Sequence, residues 1–442
     1  MAPQEARAMS RKALLGLVLL GWALRLLPCA WYDLDYDEGV YYSTVALWTR
    51  GVWPYRDTVF VHPPGLLYAL FPLGWLPPDS GWMVARLAMT AVGALNIYLM
   101  GRLTGRVLGA RAGYLAALCY AIYPEAASSE RRILLEPLLN TCALALLSTS
   151  GWKAAWWGGC ALCVKAWGAL WLFSSLPRLR GWAVLGGVIG VVLCLPLVLV
   201  SPQGFYTDVF WFQAHRPSHG LDTPFQRLWD IFDPRHLAIT LLALLGYARS
   251  RQRWEPVALQ LSASWVLLIG AFYLAPGHFF HYRTQLAIPE CFWAGAAVDL
   301  VLRYRRLAVI WLTVPFGFVL AICMRSDTEH IQRARTIREH VPAGDTVFAF
   351  EPSVLLRAGR LPDWRGKAPV VTDSYGMMLI DAGVGQSSVI AAMADPASRT
   401  RVNQRLALSQ WLVVDDRAFE QVSFDWCKAH YRPCYGDVWR AR

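Results

Sequence analysis

The sequence predicts an α-helical polytopic membrane protein that ends in a small extracytoplasmic α/β domain. Three observations lead there. Of the 442 residues 56% are hydrophobic, and they gather into long uninterrupted runs. The basic residues behind the formal net charge of +11 sit in short clusters between those runs rather than on one patch, so the excess charge reads as membrane topology and no nucleic-acid partner is expected. After Arg325 the character changes to segments with soluble helix and strand periods.

The clusters Arg7/Arg11/Lys12, Arg102/Arg106/Arg111, Lys153, Arg178/Arg180, Arg249/Arg251/Arg253 and Arg303/Arg305/Arg306 mark cytoplasmic junctions under the positive-inside bias. The N-terminus is then cytoplasmic. About nine full spans follow, over 11–30, 82–103, 112–124, 133–150, 181–201, 236–248, 256–275, 284–302 and 307–324. The first is read as a retained helix, because its apolar run continues through Trp22–Leu27 without a small-residue cleavage site. Residues 154–176 have basic clusters at both ends, which puts both ends on the cytoplasmic face and predicts two half-length helices meeting near Lys165. The core thus covers 1–325, with an outer loop at 31–65, and an extracytoplasmic domain covers 326–442 in a multi-pass protein of the plasma membrane.

In that tail, HIQRARTIREHVPAGDTVFAF reads as helix, turn and strand, APVVTDSYG and QWLVVDDRAF as strands, and VNQRLALSQW as a helix. Cys160 and Cys163 have CxxC spacing, but inside a tryptophan-rich apolar run they read as small packing residues. Cys427 and Cys434 lie in the tail, where an oxidising compartment permits a disulfide between them.

The chemistry gathers in the first outer loop. Asp33, Asp35, Asp37 and Glu38 fall within six positions, interleaved with Trp31, Tyr32, Tyr36, Tyr41, Tyr42, Trp48, Trp53 and Tyr55, the composition of a segment lying in the membrane interface. Carboxylates held there meet both an aqueous substrate and a lipid head group. Later outer loops carry a set of charged and polar partners, cations among them against the positive-inside bias: Arg131 and Arg132 with Glu136 in SSERRILLEP, His215, Arg216 and His219 in DVFWFQAHRPSHG, and His278, His281 and Arg283 with Tyr282 in PGHFFHYR. Such cations need an anionic counterpart, and a lipid phosphate supplies one.

DEGVYY, then GVWPYRD, then HPPGLLY, with VKAWG and VFWFQAHRP further on, resemble membrane glycosyltransferases of the GT-C class. The nearest branch is the polyprenyl-phosphate-sugar-dependent one that includes protein O-mannosyltransferases and lipid A aminoarabinose transferases. The resemblance is loose over most of 1–325 and specific in the first loop. It implies that Asp37 is the catalytic aspartate, that Lys165 lies near the lipid phosphate, and that His215 with Arg216 approximates the phosphate-binding loop. Where the aminoarabinose transferases have Glu-Lys-Pro this chain has Val61-His62-Pro63, so His62 stands in for a lysine, and Glu38, Asp35 or Glu136 is left to supply any second carboxylate.

One carboxylate suffices for this chemistry. A sugar departing from polyprenyl phosphate has an acidic leaving group, so a glycosidase-like general acid is not required. Asp37 would take the acceptor hydroxyl's proton, and His62, Lys165, His215 and Arg216 would stabilise charge growing on phosphate. Tyr41, Asp35, Arg131, Glu136, His278, His281, Tyr282 and Arg283 are further candidates for substrate contact. No cofactor is expected beyond the lipid-linked donor, and with so many cations a divalent metal is not expected. The acceptor is a glycan, lipid or protein. The alternative is a polytopic flippase or transporter of a lipid-linked sugar; one broken segment and no internal repeat weigh against it.

Overall fold

The computed structural model describes residues 9–31, 35–218, 224–277, 279–366, 369–383 and 388–442. Asp33, His219 and the candidate His278 lie outside them. The chain divides into two compact units, one of Met1–Ala30, Arg86–Leu193 and Asp222–Arg325, the other of Trp31–Ala85, Cys194–Leu221 and Ser326–Arg442.

Five helices are long and apolar enough to cross a membrane, namely Arg11–Ala30, Pro78–Leu108, Gly181–Val200, Pro256–Leu274 and Arg305–His340. Gly181–Val200 shows why: it has no charged residue, and Val184, Val188 and Val191 stay exposed along it, a surface that only lipid satisfies. The other expected spans are helices of 10 to 16 residues: Ala110–Ala121, Glu136–Ser148, Pro234–Arg249 and Ala287–Ala296. Their packing is close. A Cβ at Gly246 on Pro234–Arg249 would collide with the carbonyl of Trp293 on Ala287–Ala296, so only glycine lets these backbones meet.

The first unit holds part of its buried charge in a connected polar network. Arg25, fully buried on the first helix, donates from Nε to Glu130 Oε2 at 2.8 Å, while Glu130 Oε1 accepts from Asn96 and from Tyr120, each at 2.7 Å. In hydrocarbon surroundings an isolated charge is costly, and this network fixes how the helices register against one another. The expected break near Lys165 is present: one helix runs Gly151–Val164, Lys165 is extended at its end, and the next runs Gly168–Leu179.

In the second unit, strands β1 (Val347–Ala349), β2 (Trp411–Val413), β3 (Tyr431–Tyr435) and β4 (Val438–Ala441) form a sheet in the order β1-β2-β4-β3. β1 and β2 are parallel, and β4 runs antiparallel to both β2 and β3. The core beneath holds Phe348, Phe350, Met377, Met378, Val402, Leu406 and Leu412, and it also takes in Val59 of the first loop and Phe212. The first loop is therefore built into the folding of this unit rather than draped over it.

Two expectations for the tail are corrected. The described part of APVVTDSYG, from Pro369 on, is not a strand; Asp373 caps a helix over Ser374–Ala382 by accepting from Gly376 N at 2.7 Å, so a helix-capping side chain overrides the β-branched pair before it. Cys427 and Cys434 are both free, Cys427 turned into the core from helix Phe424–His430 and Cys434 exposed on β3.

Candidate active site

Within the second unit, Asp35 starts helix Tyr36–Trp48 by accepting from Asp37 N at 3.1 Å, which sets Asp37 and Glu38 in its first turn, where the helix dipole favours negative charge. Asp37 is half-buried, whereas Glu38 is fully enclosed. The helix lies on Pro352–Arg357 so tightly that a Cβ at Gly39 would strike the Ser353 amide. The acid-bearing turn is thereby fixed against the C-terminal segment.

That packing brings residues that the sequence does not single out. Tyr36 donates its hydroxyl to Asp373 Oδ1 at 2.9 Å and accepts from Tyr375 N at 3.0 Å. Arg417 lies over the Tyr36 ring at 4.2 Å and pairs with Glu351 Oε2 at 3.3 Å. Burial opposes the Arg417 charge, yet Glu351, Tyr36, Asp37 and Asp415 together outweigh it and raise its pKa. Burial raises Glu351 to about 7 and also lifts Asp373, in both cases against the pull of Arg417. Arg216 joins the same group, acting by charge on Asp373 and by hydrogen bond on Tyr375.

The remaining loop-one candidates line up behind this turn. Tyr41, buried one helical turn on, meets Phe60 and His62 edge to face at 5.7 and 5.8 Å. His62 is half-buried, and its carbonyl accepts from the Tyr55 hydroxyl at 2.7 Å. His215 is exposed, stacked on Trp211 with Nδ1 at 2.9 Å from that residue's carbonyl.

Within the first unit, Lys165 is only 3% exposed and its ammonium is paired with Glu136. It also lies 4.4 Å from the centre of the Tyr282 ring, and His281 Nε2 is 3.9 Å from the same Glu136 oxygen. Four candidates from three separate stretches of sequence thus form one group, with the lysine at the end of a broken helix. Arg131 and Arg283 belong elsewhere. Arg131 is buried with Nη1 3.9 Å from Cys323 Sγ, and Arg283 binds Asp233 at 2.7 Å and reaches Glu125 at 3.7 Å.

Glu125, Asp233 and His236 present donor atoms within 4.8 Å of one another, a geometry that could hold a metal ion. Both ring nitrogens of His236 are already engaged, Nδ1 with Glu125 at 3.0 Å and Nε2 with the Ile231 carbonyl at 3.1 Å, and Arg283 brings positive charge to both carboxylates. These donors fit a self-contained ion-pair network better than a metal centre.

No family model and no curated protein matches the chain. Solved structures do. The crystal structure of ArnT from Cupriavidus metallidurans bound to undecaprenyl phosphate aligns with a TM-score of 0.64 at 15% identity, covering 92% of this chain and 93% of that one. Its apo state gives 0.62 at 15% identity, over 84% and 90%. The archaeal oligosaccharyltransferase AglB from Archaeoglobus fulgidus, in complex with an inhibitory peptide and a dolichol-phosphate, gives 0.58 at 11% identity, over 92% and 69%. This chain shares the fold of both proteins.

Proposed function

We propose that this chain, a membrane protein with the GT-C fold, is a glycosyltransferase that moves a sugar from a polyprenyl-phosphate donor to an extracytoplasmic acceptor with inversion at the anomeric carbon. The observation that carries it is Asp37, half-buried in the first turn of an interfacial helix, ordered by Asp35 and facing the positive field of Arg417. The undecaprenyl phosphate bound by ArnT and the dolichol-phosphate bound by AglB support a lipid-linked donor.

In this reading the Asp37 carboxylate accepts the proton of an acceptor hydroxyl. The freed oxygen forms a bond to the anomeric carbon from the face opposite the phosphate. The bond from that carbon to the phosphate oxygen breaks, and its electron pair leaves with polyprenyl phosphate. Lys165, held by Glu136 and flanked by His281 and Tyr282, is assigned to the donor phosphate, and His62 and Arg216 add positive charge or hydrogen bonds in their own unit.

The test is incubation of the purified protein with a panel of polyprenyl-phosphate sugars and membrane extract, scoring free polyprenyl phosphate. Acceptor-dependent release that disappears in Asp37→Asn is expected. A protein that moves the labelled donor between leaflets intact and releases no polyprenyl phosphate would instead be a flippase.

A further inference from the structure

A cavity of about 680 Å³ opens in the second unit, walled by the first loop, by the stretch after Val200 and by the C-terminal segment. Tyr55, Thr58, Gln203, Asp208, Trp364 and Arg401 line it. The mechanism above uses none of them. We infer that this cavity is a binding subsite for an uncharged saccharide, the glycan portion of the acceptor.

Charge balance points to an uncharged ligand. Arg401 is neutralised by Asp381, with Nε to Oδ1 at 2.6 Å, and Arg56 at the rim is held by Asp57 through bonds of 2.9 and 2.7 Å. Among the described residues that line the cavity, no arginine is left over to define a phosphate site of the kind that unshared cations would make. The groups that do stay available are hydroxyl-sized. Asp208 is 5% exposed, and its Oδ2 accepts from Phe60 N at 2.9 Å. Burial pushes its pKa up to about 7 despite that bond, so near neutrality it can donate as well as accept. Thr58 is 4% exposed, and its buried hydroxyl has no hydrogen-bond partner among the described residues.

The walls fit a sugar as well. Trp364 is 39% exposed beside the cavity, and Tyr55 holds a backbone φ of 65°, an unusual conformation for a bulky residue that is retained where packing or function enforces it. Aromatic faces suit the C–H surfaces of a pyranose, while the acid, amide and hydroxyl groups suit its hydroxyls. A volume of this order accommodates one or two sugar rings. The cavity also touches the catalytic turn through one relay, since Asp208 holds Phe60 and Phe60 packs on Tyr41 of the Asp37 helix.

The inference rests on the glycosyltransferase reading for its purpose but not for its measurement. Full-length protein in lipid nanodiscs is examined by saturation-transfer NMR with methyl mannoside, methyl galactoside and methyl N-acetylglucosaminide, and with inorganic phosphate as competitor. We expect saturation transfer to at least one glycoside, unaffected by equimolar phosphate and preserved in Asp37→Asn. Trp364→Ala, at an exposed position, and Gln203→Trp, which fills the mouth, should each weaken it roughly 10-fold or more, on the scale of losing an aromatic anchor. Asp208→Asn should weaken it while the protein keeps its elution profile. The inference is overturned if no glycoside shows transfer, if Trp364→Ala and Gln203→Trp leave it unchanged, or if phosphate displaces it. Glycoside binding by a protein that releases no polyprenyl phosphate would support the subsite and sink the transferase reading, so the two failures are distinguishable.

Discussion

The guanidinium of Arg417 lies 4.2 Å from the centre of the Tyr36 ring, on the residue that precedes Asp37. More than three hundred positions separate the two in sequence, yet Asp37 is among the charges that stabilise this arginine. The positive field at the proposed base therefore comes from the C-terminal segment. Arg417→Ala should lower kcat/KM roughly 10-fold with little change in donor affinity and move the acid limb of the pH–rate profile upward, since a carboxylate losing a nearby cation binds its proton more tightly. An unchanged profile would remove Arg417 from the site.

Asp37→Asn keeps size and hydrogen bonding but cannot take a proton. Turnover should fall by roughly 100-fold or more, the scale of losing a positioned general base, while donor binding persists. Comparing single-turnover rates with a donor-binding titration checks both halves. If Glu38→Gln were the inactivating change instead, the base would be reassigned to a residue that the fold encloses completely.

Lys165 and Glu136 are a buried pair, so removing one partner has two consequences. Lys165→Met alone should destabilise by about 3 kcal/mol, because buried Glu136 loses its close partner and keeps only His281 at 3.9 Å. Lys165→Met combined with Glu136→Gln should recover much of the thermal stability. Donor affinity should stay low in both variants, because the proposed phosphate partner is gone. A thermal melt beside a donor titration separates the two effects, and full donor affinity in the double variant would exclude Lys165 from the donor site.

Glu351 carries a pH signature. Its folded-state pKa of about 7 lies above the ordinary carboxyl value of 4.5, so the native state holds a proton that the unfolded chain has released between those values. Stability should therefore decline as pH rises from about 4.5 to 7, by roughly 3 kcal/mol at most from this group. Glu351→Gln should flatten that decline, measured as the unfolding midpoint against pH, because a neutral side chain has no proton to release. A slope as steep as in the parent would assign the decline to other groups, His330 among them, whose pKa is raised by Asp327 and Glu351 against burial.

Cys434 is exposed on β3, whereas Cys427 is buried. An impermeant maleimide applied to intact cells should label Cys434, and a cysteine placed at exposed Ser80 as well, if the first loop and the tail share the extracytoplasmic face. Protection of either site would overturn that topology.

The sequence by itself determined the features that depend on neighbours in the chain. Hydropathy placed the long helices, because a lipid-facing helix must be apolar around most of its girth. Opposed basic clusters placed the break at Lys165, and the acid-aromatic pattern marked the loop that carries Asp37. Periodicity also found helix Thr328–His340 with β1, and helix Thr400–Leu406 with β2. Tertiary structure alone decided which partners those groups have. Lys165, not Arg131, meets Glu136; Arg283 turns to Asp233; Asp37 acquires Arg417, which pairs with Glu351, while Tyr36 beside it binds Asp373. The reason is physical: capping and hydropathy act over a few residues, whereas the partner of a buried charge is chosen by which distant surfaces pack, and a charge left unpaired by that packing would cost several kcal/mol.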